Sequence, residues 1–192
     1  MGDHMTGQMC AGAVCAALYN REKTGKGQVV DAAIYESVLG IMEATIPEYT
    51  ISNYIRTRSG SKLPNVAPSN AYNCSDGEYM IAANQDTVFQ RLAEAMEMPD
   101  LATDARFCSH IARGKHQDLL DGIIEEWTRT RTMDEVEALM LAHSVPSGKI
   151  YRAPEMLDDP HFKAREAIID VPHPRWGNLK MQNVFPKLSE TP

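Results

Sequence analysis

The chain has 192 residues, with 19 lysines and arginines against 26 aspartates and glutamates, and a formal charge of −7. That acidity argues against a protein whose main task is neutralising phosphate backbones, because nucleic-acid binding needs a basic footprint. With 43% hydrophobic and 23% charged residues the composition is that of an ordinary soluble globular protein. The most apolar run near the start, Met9 to Leu18, is about half of the ~20 residues a bilayer span requires, so a cytoplasmic chain with no membrane partner is expected.

From Thr6 to Glu22 the composition is rich in Ala, Met, Leu and Cys without proline, which predicts a helix, with Asp3 to Thr6 as capping residues before it. Its all-round apolarity predicts burial on most sides. Lys23-Thr24-Gly25-Lys26-Gly27 ends it, since glycine accepts the left-handed conformation of a helix terminus. Gln28 to Ile34, with Val29-Val30, reads as a short strand, and Glu36 to Tyr54 as a second helix broken or kinked at Pro47. Prolines, a glycine and small polar residues between Arg56 and Asn70 mark a linker. Ala71 to Cys74 and Glu78 to Ala83 flank Ser75-Asp76-Gly77 as the arms of a β-hairpin. A helix follows at Thr87 to Glu97, capped by Asp86, with further helices at Gln117 to Trp127 and Met133 to His143. The remainder reads as a strand at Lys149 to Arg152, a short helix near His161 to Arg165, and strands at Ala167 to Val171 and Leu179 to Val184. The sum is a mixed α/β chain without repeats. An apolar helix so near the start, short of partners, points to a piece of a larger protein.

Few residues carry a recognisable chemistry by spacing. Gly25-Lys26 fails as a phosphate loop, with Asn20 where an earlier glycine is needed and Gly27 where Ser or Thr is needed. The six histidines, His4, His110, His116, His143, His161 and His173, contain no i,i+4 pair and none joins a cysteine cluster, so no metal is expected. Cys10, Cys15, Cys74 and Cys108 form no CxxC pair, which fits free thiols in a reducing compartment, and burial in the first helix would make Cys10 and Cys15 inert. No GxSxG is present. Asp3 is open to two readings. A carboxylate at a helix entrance is a favoured cap, and it is also held in place there by backbone N–H groups for use as a catalytic group.

Read with its neighbours, Asp3 stands in Gly2-Asp3-His4-Met5-Thr6-Gly7, followed by an Ala-rich helix and by Leu18-Tyr19-Asn20-Arg21-Glu22-Lys23-Thr24-Gly25-Lys26-Gly27-Gln28-Val29-Val30-Asp31. Later come Ala67-Pro68-Ser69-Asn70-Ala71-Tyr72, Asp76-Gly77-Glu78-Tyr79-Met80-Ile81-Ala82-Ala83-Asn84, Met98-Pro99-Asp100-Leu101-Ala102-Thr103-Asp104-Ala105-Arg106-Phe107, Val145-Pro146-Ser147-Gly148 and Asp159-Pro160-His161-Phe162. In this order and spacing, nearly end to end, the chain resembles the family III CoA-transferases, which include formyl-CoA and carnitine CoA-transferases and the 2-methylacyl-CoA racemases.

The resemblance implies an α/β fold: part of a Rossmann-like large domain plus a small mixed α/β domain joined by linkers, in an interlocked homodimer. Residues 1–55 would be a portion of the large domain that binds coenzyme A, 56–70 a linker, 71–170 the small domain and 171–192 a return linker. It implies a coenzyme A thioester as substrate, no covalently bound cofactor at rest, and a carboxylic acid acceptor as the second partner. Asp3 matches the nucleophile of the transferases, an ionised carboxylate that needs no partner base and only donors for the developing oxyanion, for which the amides around Met5 to Gly7 are candidates. In the racemases the matching aspartate works with a histidine from a part not in this chain, near a glutamate after the small-domain hairpin. Here that region reads Asn84-Gln85-Asp86-Thr87, with Asp86 in place of the glutamate, so racemisation is the second reading. A third is a non-catalytic piece that needs a partner segment. The glycine-rich substrate loop of formyl-CoA transferase has no counterpart, and the Lys62 to Tyr72 stretch looks closer to dicarboxylate or carnitine-type members.

Overall fold

The computed structural model describes residues 1–191, which divide between Arg58 and Ser59 into two compact units. In the first, α1 (Gly2–Thr24) ends as its sequence demands. Gly25 takes the left-handed conformation at φ 71°, and its N–H donates to the Arg21 carbonyl at 2.8 Å. Asp3 does not cap this helix: it stands inside the first turn, with Met1 at the cap position. Nor is α1 buried. None of its residues is enclosed within its unit, and Leu18 and Tyr19 are 44% and 67% exposed. Within the unit α1 packs on α2 (Ile34–Ile41), which leaves most of its apolar surface uncovered.

The expected strand at Gln28 to Ile34 is absent. Those residues are unpaired chain up to the start of α2, because a strand needs a neighbour to bond and none is present among the described residues of this unit. The second predicted helix is indeed interrupted, but not at Pro47. α2 stops at Ile41, Glu43 turns the chain at φ 51°, and α3 (Thr45–Ser52) begins with Pro47 in its first turn, where a missing N–H costs nothing.

The second unit is built on the antiparallel sheet β1-β2-β3, with β1 (Ser69–Asn73), β2 (Glu78–Ala82) in the centre and β3 (Ser147–Lys149). Alternation sets its buried face: Asn70 lies opposite Ile81 and Tyr72 opposite Tyr79, all four buried. The hairpin loop is fixed by its surroundings as well as by its glycine. Ser75 N–H donates to the Arg131 carbonyl, Asp76 accepts from Met133 N–H at 2.8 Å, and a Cβ on Gly77 would come within 2.8 Å of the Met133 side chain.

α6 (Gln117–Arg129) and α7 (Met133–Ala142) pack on this sheet, α4 (Asp86–Ala95) packs on α7 and on a 3₁₀ turn at Pro99–Ala102, and α5 (His110–Lys115) packs on α6. Leu92, Phe89, Leu120, Ile124, Trp127, Val136 and Met140 join the strand side chains in one core. α7 starts on a full capping box between Thr132 and Glu135. β3 lies two residues before the predicted Lys149 to Arg152, and α5 and α8 (Ala153–Asp158) had no sequence signal strong enough to announce them, each being only six residues long. The chain finishes with α9 (Pro160–Ala164) and the hairpin of β4 (Ile168–His173) and β5 (Gly177–Gln182). No helix among the described residues is long and apolar enough to cross a membrane.

Candidate active site

Asp3 occupies the second position of α1, exposed to solvent. What holds it there is the approach of α2 to the start of α1. A Cβ on Gly2 would lie 3.0 Å from Cγ2 of Ile34 and 3.5 Å from that of Val38, so the residue before Asp3 has to be small for the two helices to meet. Thr6 secures the same turn by donating its hydroxyl to the Gly2 carbonyl at 2.9 Å. The first turn also decides which amides are free. Met5 N–H donates to the Met1 carbonyl at 3.1 Å, and Thr6 and Gly7 lie further inside the helix, so Met5 to Gly7 are engaged. The amides without an intrahelical acceptor are those of Gly2, Asp3 and His4, so the free donors stand beside the carboxylate and not at Met5 to Gly7.

Cys10 and Cys15 lie further along α1. Cys10 is half-buried and lines a cavity of about 260 Å³ with Asp31, Glu36 and Ser37, whereas Cys15 is exposed, so burial is no reason for its inertness in this unit. All four cysteines are free thiols. Among the described residues no three His, Cys, Asp or Glu side chains are grouped to hold a metal ion.

In the second unit Asp86 is not the helix cap either. Gln85 takes the cap position, and the Asp86 carboxylate instead accepts from Nη2 of Arg113 at 2.7 Å. Arg113 is fully buried, and sequence reasoning missed it. Its guanidinium donates to the carbonyls of Ala67 (3.1 Å), Phe107 (2.9 Å) and Asn84 (2.8 Å), and lies 4.6 Å from the centre of the Phe89 ring. The His110 ring, bonded through Nδ1 to the same Asn84 carbonyl at 3.1 Å, completes this corner. The Arg113 N–H group, with help from its charge and from His110, holds the Asp86 carboxyl below the usual carboxylate range. Asp86 is thus a counterion, and a weakened base.

A second polar cluster lies on the core side of α6. The Tyr72 hydroxyl donates to Asp121 Oδ1 at 2.7 Å, and Lys62 Nζ reaches Asp121 at 3.4 Å and Asp118 at 2.8 Å. Burial first, and then the Asp121 charge, push the Tyr72 phenol far above its ordinary value, so it stays a neutral donor. The signal that could have found Asp121 is its place on the stripe of Leu120, Ile124 and Thr128, a lone acid on an otherwise buried face. Both clusters tie the interior of the second unit together, and the carboxylates they leave at the surface, Asp86 and Asp118, are each paired with a cation.

Comparison with known proteins adds what geometry within either unit cannot supply. A family model described as CoA-transferase family III matches residues 1–192. Succinyl-CoA--D-citramalate CoA-transferase of Chloroflexus aurantiacus is 52% identical over 100% of this chain and 48% of its own length. The succinyl-CoA--L-malate CoA-transferase alpha subunit of the same organism is 35% identical over 100% of this chain and 45% of its own. A crystal structure of a CAIB/BAIF family protein from Brucella suis superposes with a TM-score of 0.76 at 30% identity, over 97% of this chain and 48% of that one. The chain spans about half the length of the curated relatives it matches.

Proposed function

The chain belongs to CoA-transferase family III, and from that premise we propose that it is part of an enzyme that moves coenzyme A from succinyl-CoA to a short hydroxy- or dicarboxylic acid, with Asp3 as the nucleophile. The Asp3 carboxylate attacks the thioester carbonyl, forming a mixed anhydride and releasing CoA thiolate. The thiolate then attacks the aspartyl carbonyl of the anhydride, which frees the donor acid as its carboxylate and leaves an aspartyl-CoA thioester. An acceptor carboxylate attacks that thioester to give a second anhydride, and the expelled thiolate takes the acceptor's acyl group, restoring Asp3. Bonds and charge balance at each step without an external base.

The observation that carries this reading is the exposed Asp3 carboxylate in the first turn of α1, flanked by three amides without intrahelical acceptors, in a chain 52% identical to a succinyl-CoA--D-citramalate CoA-transferase. The pairing of Asp86 with Arg113 supports transfer over racemisation, because a carboxylate of lowered basicity is a poor acceptor for an α-proton. The same reading assigns residues 1–55 to a portion of a Rossmann-like large domain, 56–70 to a linker, 71–170 to a small domain and 171–192 to a return linker, in a homodimer. The boundary between the two compact units, inside the 56–70 stretch, supports it.

The test uses the full-length gene product. Incubated with succinyl-CoA and quenched, it should carry a coenzyme A adduct on the peptide containing Asp3, and Asp3→Ala should abolish both adduct and transfer. Transfer retained in Asp3→Ala overturns the assignment. Solvent deuterium entering the α-position of a 2-methylacyl-CoA without any acceptor acid would favour the racemase instead.

A further inference from the structure

Three of the cavities that open on the described residues differ in charge. The cavity beside Cys10 carries the two acids Asp31 and Glu36. The groove between α3 and the chain leading to Arg56 is apolar, and its arginine is held in a two-pronged ion pair by Glu48 at 2.6 Å. The third, of about 480 Å³, lies between the end of α9 and the segment after β5, and is lined by Arg165 and Lys187 together with Val184, Phe185 and Pro186.

Its walls are tied by hydrogen bonds rather than loosely apposed. Glu166 turns the chain at φ 49°, with Glu166 N–H donating to Lys163 and Ala167 N–H to Phe162, which closes the end of α9. The returning segment is fastened to that turn at both ends. Asn183 donates its backbone N–H to the Ala167 carbonyl and its side-chain amide to the Glu166 carbonyl, each at 2.9 Å. Lys187 Nζ donates to the Arg165 carbonyl at 2.6 Å and to Glu166 Oε2 at 3.1 Å. Lys187 therefore neutralises Glu166 and still has one of its three protons to offer. Among the described residues no carboxylate pairs with the Arg165 guanidinium, and the neighbouring acid, Glu166, is paired with Lys187. Beside it stands an uncovered hydrocarbon wall, with Val184 and Phe185 78% and 80% exposed.

We propose that this cavity is a binding site for a small organic carboxylate. The planar fork of a guanidinium matches the two oxygens of a carboxylate, the remaining Lys187 proton adds a third donor, and the Val184–Phe185–Pro186 wall accepts a short hydrocarbon chain next to the charge. An inorganic oxyanion would use the fork but gain nothing from the wall. The volume falls within the range of small-molecule sites, about 300–1,000 Å³. The site lies in the second unit, contains none of the residues given to acyl transfer, and stands or falls independently of Asp3.

An amide-resolved NMR titration of the full-length gene product with 3-methylbutanoate tests it, against inorganic phosphate at matched ionic strength. The expected result is a saturable shift at the amides of Arg165, Ala167 and residues 183–187 that persists in Asp3→Ala. Arg165→Gln should weaken binding at least about tenfold, the loss of one charge-assisted pair. Among the described residues the Arg165 side chain makes no hydrogen bond, so the remaining spectrum should be unchanged. Phe185→Ser should weaken 3-methylbutanoate but leave acetate as before, which separates the wall from the charge. An absent or non-saturating shift, an unchanged affinity in Arg165→Gln, or phosphate binding as tightly as 3-methylbutanoate would each overturn the proposal.

Discussion

Replacing Arg113 by methionine keeps the aliphatic stem in the core and removes the guanidinium. The buried carbonyls of Ala67 and Phe107 then lose their donors, whereas that of Asn84 keeps the His110 ring as a partner. A buried acceptor left unsatisfied costs about 1–3 kcal/mol, and the lost contact with Phe89 adds about 0.5–2 kcal/mol. Some of the cost returns because a buried cation no longer has to be desolvated, which places the net loss at roughly 3–5 kcal/mol, in the range seen when one partner of a buried charged pair is removed. The Asp86 carboxylate contributes little to that sum, since its side chain is 56% exposed and rehydrates. Urea denaturation followed by the fluorescence of the buried Trp127 measures the difference. Asp86→Asn in the same assay should cost less than about 1 kcal/mol. If Arg113→Met loses under about 1 kcal/mol, or if Asp86→Asn is as damaging as Arg113→Met, the reasoning that Arg113 acts chiefly through backbone carbonyls is refuted.

Two further outcomes test the packing and the electrostatics. Gly114→Ala would ordinarily strengthen a helix by about 1 kcal/mol, but here its Cβ would lie 2.7 Å from the Asn65 carbonyl oxygen, a backbone atom that cannot swing away, so thermal unfolding should show a net loss of about 1–3 kcal/mol. Asp104, gripped by the Arg106 side chain and backbone N–H, has its carboxyl lowered from the ordinary 3.8 to about 2. A lowered carboxyl contributes stability that is present above its unfolded value and lost as the pH falls through the folded one, here between about pH 4 and pH 2. Carboxyl NMR should find that midpoint near 2 in the parent chain and back toward 3.8 in Arg106→Gln; an unmoved midpoint counts against the pair.

Where contacts are local, the residue pattern was enough. Gly25 ends α1, the helix predicted from Met133 begins there, and Ser75-Asp76-Gly77 lies in the loop of the predicted hairpin. Each of these features needs only neighbours within a few positions, whose chemistry the sequence displays side by side. The order and spacing of the segments from Gly2-Asp3 to Asp159-Pro160 were also enough to identify the family, because a whole series of such segments rarely recurs by chance. The interruption between α2 and α3 was legible as an event, though Glu43 and not Pro47 makes it, since a proline three residues into a helix fits there without strain.

What only the tertiary structure decided are the questions of partnership. A strand at Gln28 to Ile34 and a buried α1 both presuppose neighbours, and composition cannot say whether those neighbours are in the chain. Asp86 and Asp3 each looked like a cap, but Asp86 answers to an arginine 27 positions away and Asp3 stands inside the first turn, past the cap residue Met1. Arg113 bonds to a carbonyl 46 residues earlier, a contact with no local trace because it depends on where the backbone of another segment comes to rest. Local hydrogen bonding and side-chain periodicity are written along the chain. Desolvation and the pairing of distant polar groups exist only once the chain has folded, and they decide which carboxylates are spent on structure and which, like that of Asp3, stay open to solvent.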